Sequence, residues 1–167
     1  MPVAITRRQL FKRGPVKPNM TLPPWALSYE TYSNLCDGCG KCVGACPEQI
    51  LFLNEDMLAV VRFENGYCDF CGDCETACPT NALNKESQVA WRHKATISAK
   101  CISTQGVVCR LCEEACDVRA IQFKLMLAGR ALPLVDEDQC NGCGGCVSVC
   151  PASAVSLHIP ITRELQS

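Results

Sequence analysis

The stretch from Cys140 to Pro151, Cys-Asn-Gly-Cys-Gly-Gly-Cys-Val-Ser-Val-Cys-Pro, constrains this chain more than any other. Cys140, Cys143 and Cys146 are each separated by two residues, so their sulfurs crowd onto one turn, while Cys150 follows after three and points elsewhere. Gly142, Gly144 and Gly145 let the backbone turn tightly and bring amide N–H groups toward the sulfurs. Pro151 then ends the loop and suits the first position of a helix, where its missing N–H costs nothing. Three thiolates on a loop are an incomplete ligand set, so one such run implies a partner run.

The chain supplies three more. Run one is Cys36, Cys39, Cys42 and Cys46 before Pro47, and run two is Cys68, Cys71, Cys74 and Cys78 before Pro79, offset by 32 residues. Run three is irregular: Cys101 is followed by the seven residues Ile102–Val108, then Cys109, Cys112 and Cys116, with Asp117 in place of proline. Run four is the opening stretch. A repeated spacing of this kind marks a duplicated structural unit.

Sixteen cysteines in 167 residues are nearly a tenth of the chain, which signals a stapled scaffold rather than a large apolar core. Disulfides fit poorly, because a two-residue spacing crowds thiols into one loop instead of bridging distant elements. Zinc shares the C-x2-C spacing, but zinc ribbons use two separated knuckles, not three cysteines in series with a fourth before proline. The spacing is that of [4Fe–4S] binding in bacterial ferredoxins, in which the fourth cysteine serves the other cluster. By this exchange Cys36, Cys39 and Cys42 join Cys78, and Cys68, Cys71 and Cys74 join Cys46. Likewise Cys101, Cys109 and Cys112 join Cys150, and Cys140, Cys143 and Cys146 join Cys116, giving sixteen ligands for four clusters. Intervals of 21 and 23 residues within these pairs suit strand hairpins, although the 22-residue interval between runs two and three also permits a nested pairing of run one with run four.

The segments around the cysteines repeat too. Each fourth cysteine is followed by a small helical turn closing on an apolar pair: Ile50-Leu51, Ala82-Leu83, Ala120-Ile121 and Ala154-Val155. Short strands are expected at Val60–Phe63, Ala95–Ile97 and Pro133–Val135, with Gly129 turning a hairpin between Phe123–Leu127 and Leu132–Val135. The expected fold is α+β: two tandem ferredoxin-like 2[4Fe–4S] modules, small and loop-rich, with an extended basic N-terminal arm. The divisions are arm 1–28, first module 29–94, second module 95–159 and tail 160–167.

Charge is unevenly spread. The formal net charge is −1, but Arg7, Arg8, Lys12, Arg13 and Lys17 precede residue 18 with no acid among them, leaving 11 basic against 17 acidic residues in the rest. Four cubanes on sixteen thiolates would bring that remainder to about −14. An acidic body excludes nucleic acid as the partner and points to proteins. No apolar run approaches the eighteen residues of a membrane span, the richest being Leu125–Val135 with Arg130 inside it. Thr6-Arg7-Arg8-Gln9-Leu10-Phe11-Lys12 looks like a twin-arginine export signature, yet Arg13-Gly14-Pro15 follows where an export signal needs an apolar stretch. The arm reads as a solvated tail or a protein-docking segment, with Arg7, Arg8, Lys12 and Arg13 as candidate partner contacts.

Nothing else competes as a chemical centre. His93 and His158 stand apart from any nucleophile and read as structural or surface residues, and Trp25 and Trp91 read as packing groups. Asp69, Asp73, Glu113 and Glu114 lie beside cysteines, either tuning a cluster or facing solvent, and the insertion Ile102–Val108 re-aims, shields or opens one. No catalytic residue is identified, and the chain reads as a non-enzyme.

The four runs, the irregular third one, the Thr6-Arg7-Arg8 start, Pro23-Pro24-Trp25 and Ala90-Trp91 together resemble the NapF family, the ferredoxin-type accessory proteins of periplasmic nitrate reductase systems. The resemblance implies a cytoplasmic protein with four [4Fe–4S] clusters that binds the precursor of the nitrate reductase catalytic subunit. There it would aid maturation by supplying electrons or assembling a cluster. The alternative is a general electron-transfer ferredoxin serving redox partner proteins.

Overall fold

The computed structural model describes residues 20–127 and 129–159; Arg7, Arg8, Lys12, Arg13 and the tail 160–167 lie outside them. The chain divides into two compact units, Met1–Arg62 with Gly72–Ala90 and Phe63–Cys71 with Trp91–Ser167, and the division falls inside run two.

In the first unit, Ser28 caps helix α1 (Tyr29–Leu35), its Oγ accepting the Thr31 N–H at 3.4 Å. Strand β1 (Leu51–Leu53) pairs antiparallel with β2 (Ala59–Val61), Leu51 opposite Val61. Asn54 forms the turn between them, its Oδ1 accepting the N–H groups of Asp56 at 3.0 Å and Leu58 at 2.9 Å. All three residues of β2 are buried, and Tyr32 reaches under the hairpin to donate its hydroxyl to the Ala59 carbonyl at 2.7 Å.

Residues 20–28, read from the sequence as part of the arm, are instead held on this unit. Thr21 bridges Val61 and Ala26 bridges Leu83, both antiparallel. Trp25 is 5% exposed, and its N–H donates to the Ala90 carbonyl at 3.0 Å. A large apolar ring gains more by covering the edge of a small unit than by staying in water.

In the second unit β3 (Lys94–Ile97) pairs antiparallel with β6 (Val155–His158), joining the two ends of the module, and β4 (Ile121–Leu125) pairs with β5 (Ala131–Val135). Gly129, at φ +70°, lies in the β4–β5 connection as expected. Ala95, Ile121 and Val155 form the core together with Cys112 and Cys146. Phe63 and Trp91 meet edge to face at 5.6 Å, and Phe70 meets Trp91 at 5.7 Å.

The apolar pairs after each fourth cysteine are all buried: Ile50 and Leu51, Ala82 and Leu83, Ala120 and Ile121, Ala154 and Val155. The helical turns do not lie where the sequence places them, after the fourth cysteine. They precede it, as α2 (Lys41–Ala45), α3 (Asp73–Thr76), α4 (Leu111–Glu114) and α5 (Gly145–Ser148), each carrying or preceding the third cysteine of its run. Pro47, Pro79 and Pro151 occupy turns rather than helix starts, and Asp117 takes the same place in run three. Among the described residues the sheets are three isolated two-stranded pairs. Such pairs are marginal in water, so the cysteine loops carry a share of the stability.

Candidate metal centres

The three regular runs are built the same way. An acid or amide one residue after the first cysteine accepts the N–H of the second: Asp37 from Cys39 at 3.0 Å, Asp69 from Cys71 at 3.1 Å, Asn141 from Cys143 at 3.2 Å. These side chains therefore shape the loop, which answers what Asp69 does beside its cysteines. The Asp37 carboxyl is held below the usual range by these hydrogen bonds from Cys39. The next residue has φ between +60° and +75° in all three: Gly38, Phe70 and Gly142. At Gly38 and Gly142 a side chain is also excluded, since an added Cβ would stand 2.6 Å from the Met57 and His93 carbonyl oxygens. Run two places the bulky Phe70 there, with its ring against Trp91.

Run three replaces this turn. Its insertion forms a single 3-10 turn (Ile102–Gln105), and Thr104 donates its hydroxyl to the Cys101 carbonyl at 2.6 Å. Cys101 stays buried and faces Cys112, so the insertion lengthens the loop without withdrawing its first sulfur.

A second feature recurs in all four runs. The third residue after the fourth cysteine is left-handed although none is glycine: Gln49 at φ +51°, Asn81 at +55°, Arg119 at +53° and Ser153 at +46°. That twist aims the next amide back at the sulfur: Ala120 N–H donates to Cys116 Sγ and Ala154 N–H to Cys150 Sγ, each at 3.2 Å. Of the four, only Asn81 is a residue type that visits this region readily, so the sequence carried almost no signal for the motif.

These loops bring cysteines together in groups. Burial pushes the Cys42 thiol up to about 11, and the nearby charges of Cys36, Cys78 and Cys39 add to it. In the second unit burial, then Cys101, Cys150 and Cys109, raise Cys112 to about 11. Burial raises Cys146 to about 12, reinforced first by Cys143 and Cys140 and then by Cys112 and Cys116. Cys143 is likewise raised by burial and by Cys116 and Cys140. Cys78 goes the other way: burial raises it, but N–H donors at Leu83, Thr80 and Ala82 and the Thr80 hydroxyl outweigh that and lower it. Cys78 thus stands beside run one and Cys150 beside run three, the neighbours that the adjacent pairing expects.

No disulfide joins any of the sixteen cysteines. Among the described residues no three His, Cys, Asp or Glu side chains converge on the point a single metal ion would occupy. Zinc would need four ligand atoms about 2.3 Å from one centre. Cys101, Cys109, Cys112 and Cys150 line one pocket, with Ile97, Leu111 and Phe123 around it. Cys116, Cys140, Cys143 and Cys146 line another, with Ala95, Ile121 and Leu157. Each pocket gathers four thiols in apolar walls, the ligand number of one multiply ligated group. The donor set and its N–H···S bonds are those of an iron–sulfur cluster.

Cys46, Cys68, Cys71 and Cys74 occupy the corresponding loop positions; Cys68 and Cys71 fall in the second unit, Cys46 and Cys74 in the first. Tyr32 was not singled out in the sequence. It lies one helical turn before Cys36, is 1% exposed, and its phenol is pushed far above the ordinary range by burial, then by Cys36, Cys42 and Cys78. It is a neutral donor beside run one. Among the described residues no helix is long and apolar enough to cross a membrane.

Comparison with known proteins agrees with this construction. Residues 35–82 match the 4Fe-4S dicluster domain and residues 132–155 a 4Fe-4S binding domain. The chain is 43% identical over 136 residues to the ferredoxin-type protein NapF of Haemophilus influenzae, covering 81% of this chain and 77% of that protein. It is 35% identical to the ferredoxin-type protein NapF of Escherichia coli K12, over 81% of this chain and 83% of that one. The methylamine utilization ferredoxin-type protein MauM of Methylorubrum extorquens is 30% identical over 86% of this chain and 73% of its own length. These proteins are named as ferredoxins, that is, as electron carriers rather than catalysts. Four cysteine runs, paired sulfur-lined cavities and this degree of identity together make the chain a member of the NapF family of ferredoxin-type iron–sulfur proteins.

Proposed function

We propose that this protein carries four [4Fe–4S] clusters and acts in the cytoplasm as an accessory factor for the precursor of the periplasmic nitrate reductase catalytic subunit. It would supply electrons or assist cluster assembly before export. The observation that carries this reading is the 43% identity, over 81% of the chain, to a protein named NapF. The chain is not an enzyme by itself on this reading: its work is to hold, give and accept electrons.

The ligands are assigned in four sets. Cys36, Cys39, Cys42 and Cys78 form one, supported by the mutual effects of these thiols. Cys101, Cys109, Cys112 and Cys150 form the second, and Cys116, Cys140, Cys143 and Cys146 the third, both supported by the cavities they line. Cys68, Cys71, Cys74 and Cys46 form the fourth, on the exchange rule alone. The modules 29–94 and 95–159 each hold two sets. When bound, each cluster supplies a one-electron couple; the chain's own residues hold it with thiolates, steady the sulfurs with N–H groups, and keep water out with apolar walls. Arg7, Arg8, Lys12 and Arg13 form the contact to the precursor.

The name of the MauM relative, which refers to methylamine utilization, favours a second reading: a general electron carrier serving several redox partners. Tagged protein, with and without residues 1–19, is captured from its host grown anaerobically on nitrate. Recovery of the unprocessed catalytic subunit, lost with the arm, is expected. Recovery of redox partners alone, indifferent to the arm, would establish the second reading. Iron analysis of the reconstituted protein is expected to give about sixteen irons and as many acid-labile sulfides per chain; stable zinc in their place would sink the cluster assignment.

A further inference from the structure

We propose that Lys94 sets the potential of the run-four site, making it the place where an electron comes to rest in the second unit. The proposal builds on the cluster assignment above. Lys94 opens β3 and is half-buried, and its ammonium donates to the carbonyl oxygen of the ligand-loop residue Cys140 at 2.6 Å. Adding an electron adds negative charge, and a fixed cation held close in a medium of reduced dielectric stabilises the reduced form.

The two sites of the second unit differ in this respect. At run three, Arg110 reaches over Phe123 at 5.9 Å, but Glu113 pairs with it at 3.4 Å and Glu114 follows on α4. That site therefore has acids and a neutralised cation. At run four the charges beside the loop include Asp136, which also interacts with Lys94, its neighbours Glu137 and Asp138, and Asp117. These acids are solvent-exposed and screened, whereas Lys94 bonds directly to the loop. His158 lies opposite Lys94 in the β3–β6 register, and His93 precedes it. At the corresponding position of the first unit, by the register of Ala26 on Leu83 against Ile97 on Val155, Pro23 takes the place of Lys94. With clusters bound, Lys94 would make the run-four site the more easily reduced of the two in the second unit.

The test is an EPR-monitored redox titration of the full-length, iron-loaded protein at pH 8, above the ordinary histidine range, with iron content measured alongside. Lys94→Gln keeps a donor for the Cys140 carbonyl and removes the charge; Lys94→Arg keeps both. Lys94→Gln is expected to load iron normally and to lower the potential of one cluster. The expected size is a tenfold fall in its reduced-to-oxidised ratio at fixed solution potential, about 59 mV for one electron. Lys94→Arg is expected to leave it unchanged. Normal loading with no shift in Lys94→Gln would overturn the proposal. So would loss of loading in Lys94→Gln, which would make Lys94 a prop for the loop. A wild-type protein that takes up no [4Fe–4S] cluster would instead defeat the cluster assignment itself.

Discussion

The tightest constraints on single residues lie where a ligand loop meets its neighbour's backbone. Gly142 combines φ +75° with an approach that leaves 2.6 Å between a new Cβ and the His93 carbonyl, while Gly129, at φ +70°, has nothing within 4 Å. The pair separates backbone strain from crowding. Gly129→Ala is expected to cost about 1–2 kcal/mol, the left-handed penalty alone. Gly142→Ala is expected to cost more, because a backbone carbonyl must move, and to lower iron content as well. Thermal unfolding and iron analysis of both variants check this; equal losses would show that the close approach is relieved cheaply. The left-handed Gln49, Asn81, Arg119 and Ser153 belong to the same scale. At Arg119 and Ser153 the strain lets the next backbone amide turn toward a cysteine, a trade that a sulfur needing hydrogen bonds makes favourable.

At the scale of elements, the strands depend on partners distant in sequence. β3 finds β6 across the whole second module, and Ala26 meets Leu83 in the corresponding place of the first. Residues 20–28 therefore behave as the opening strand of a module. Deleting 1–19 is expected to leave the first unit's melting transition in place, because Thr21, Trp25 and Ala26 remain. Deleting 1–28 removes Pro23 and Trp25, both buried, and is expected to destabilise it by about 3–5 kcal/mol, the range for losing a buried large ring. Calorimetry of the two truncations distinguishes them, and matching transitions would return 20–28 to the arm.

For the whole molecule, folding and metal loading are one process with a pH dependence. Burial raises Cys42, Cys112, Cys143 and Cys146, so these thiols hold their protons through neutral pH and must release them to bind metal. Cluster reconstitution is therefore expected to weaken as pH falls and to strengthen as pH rises toward 9, followed by iron uptake at fixed reagent concentrations. The metal-free fold runs oppositely. A thiol whose folded value is raised contributes stability in full below the ordinary thiol range. That contribution is lost as pH rises through about 11 for Cys42 and Cys112 and about 12 for Cys146. Cys78, lowered by its N–H donors, contributes with the other sign. Uptake that is flat with pH would mean that the sulfurs are already thiolates.

The sequence by itself determined the chemistry. Cysteine spacing is local, and local spacing fixes which sulfurs share a loop, so the runs, the apolar pairs behind them and the turn at Gly129 were legible without coordinates. It also placed β2, β3, β4 and β5 to within a residue or two, because short apolar segments between fixed loops leave them few positions, but gave β1 and β6 no range. Tertiary structure decided what depends on distance across the chain. It put Cys78 beside run one and Cys150 beside run three, drew Trp25 out of the arm, and moved the helical turns ahead of the fourth cysteines. It also set Tyr32 under run one and Lys94 against Cys140. Neither of those two stands in a motif. Each matters through one contact that only the closed fold makes, a phenol buried beside sulfurs and an ammonium on a ligand-loop carbonyl, and a pattern of neighbours in sequence carries no trace of such a contact.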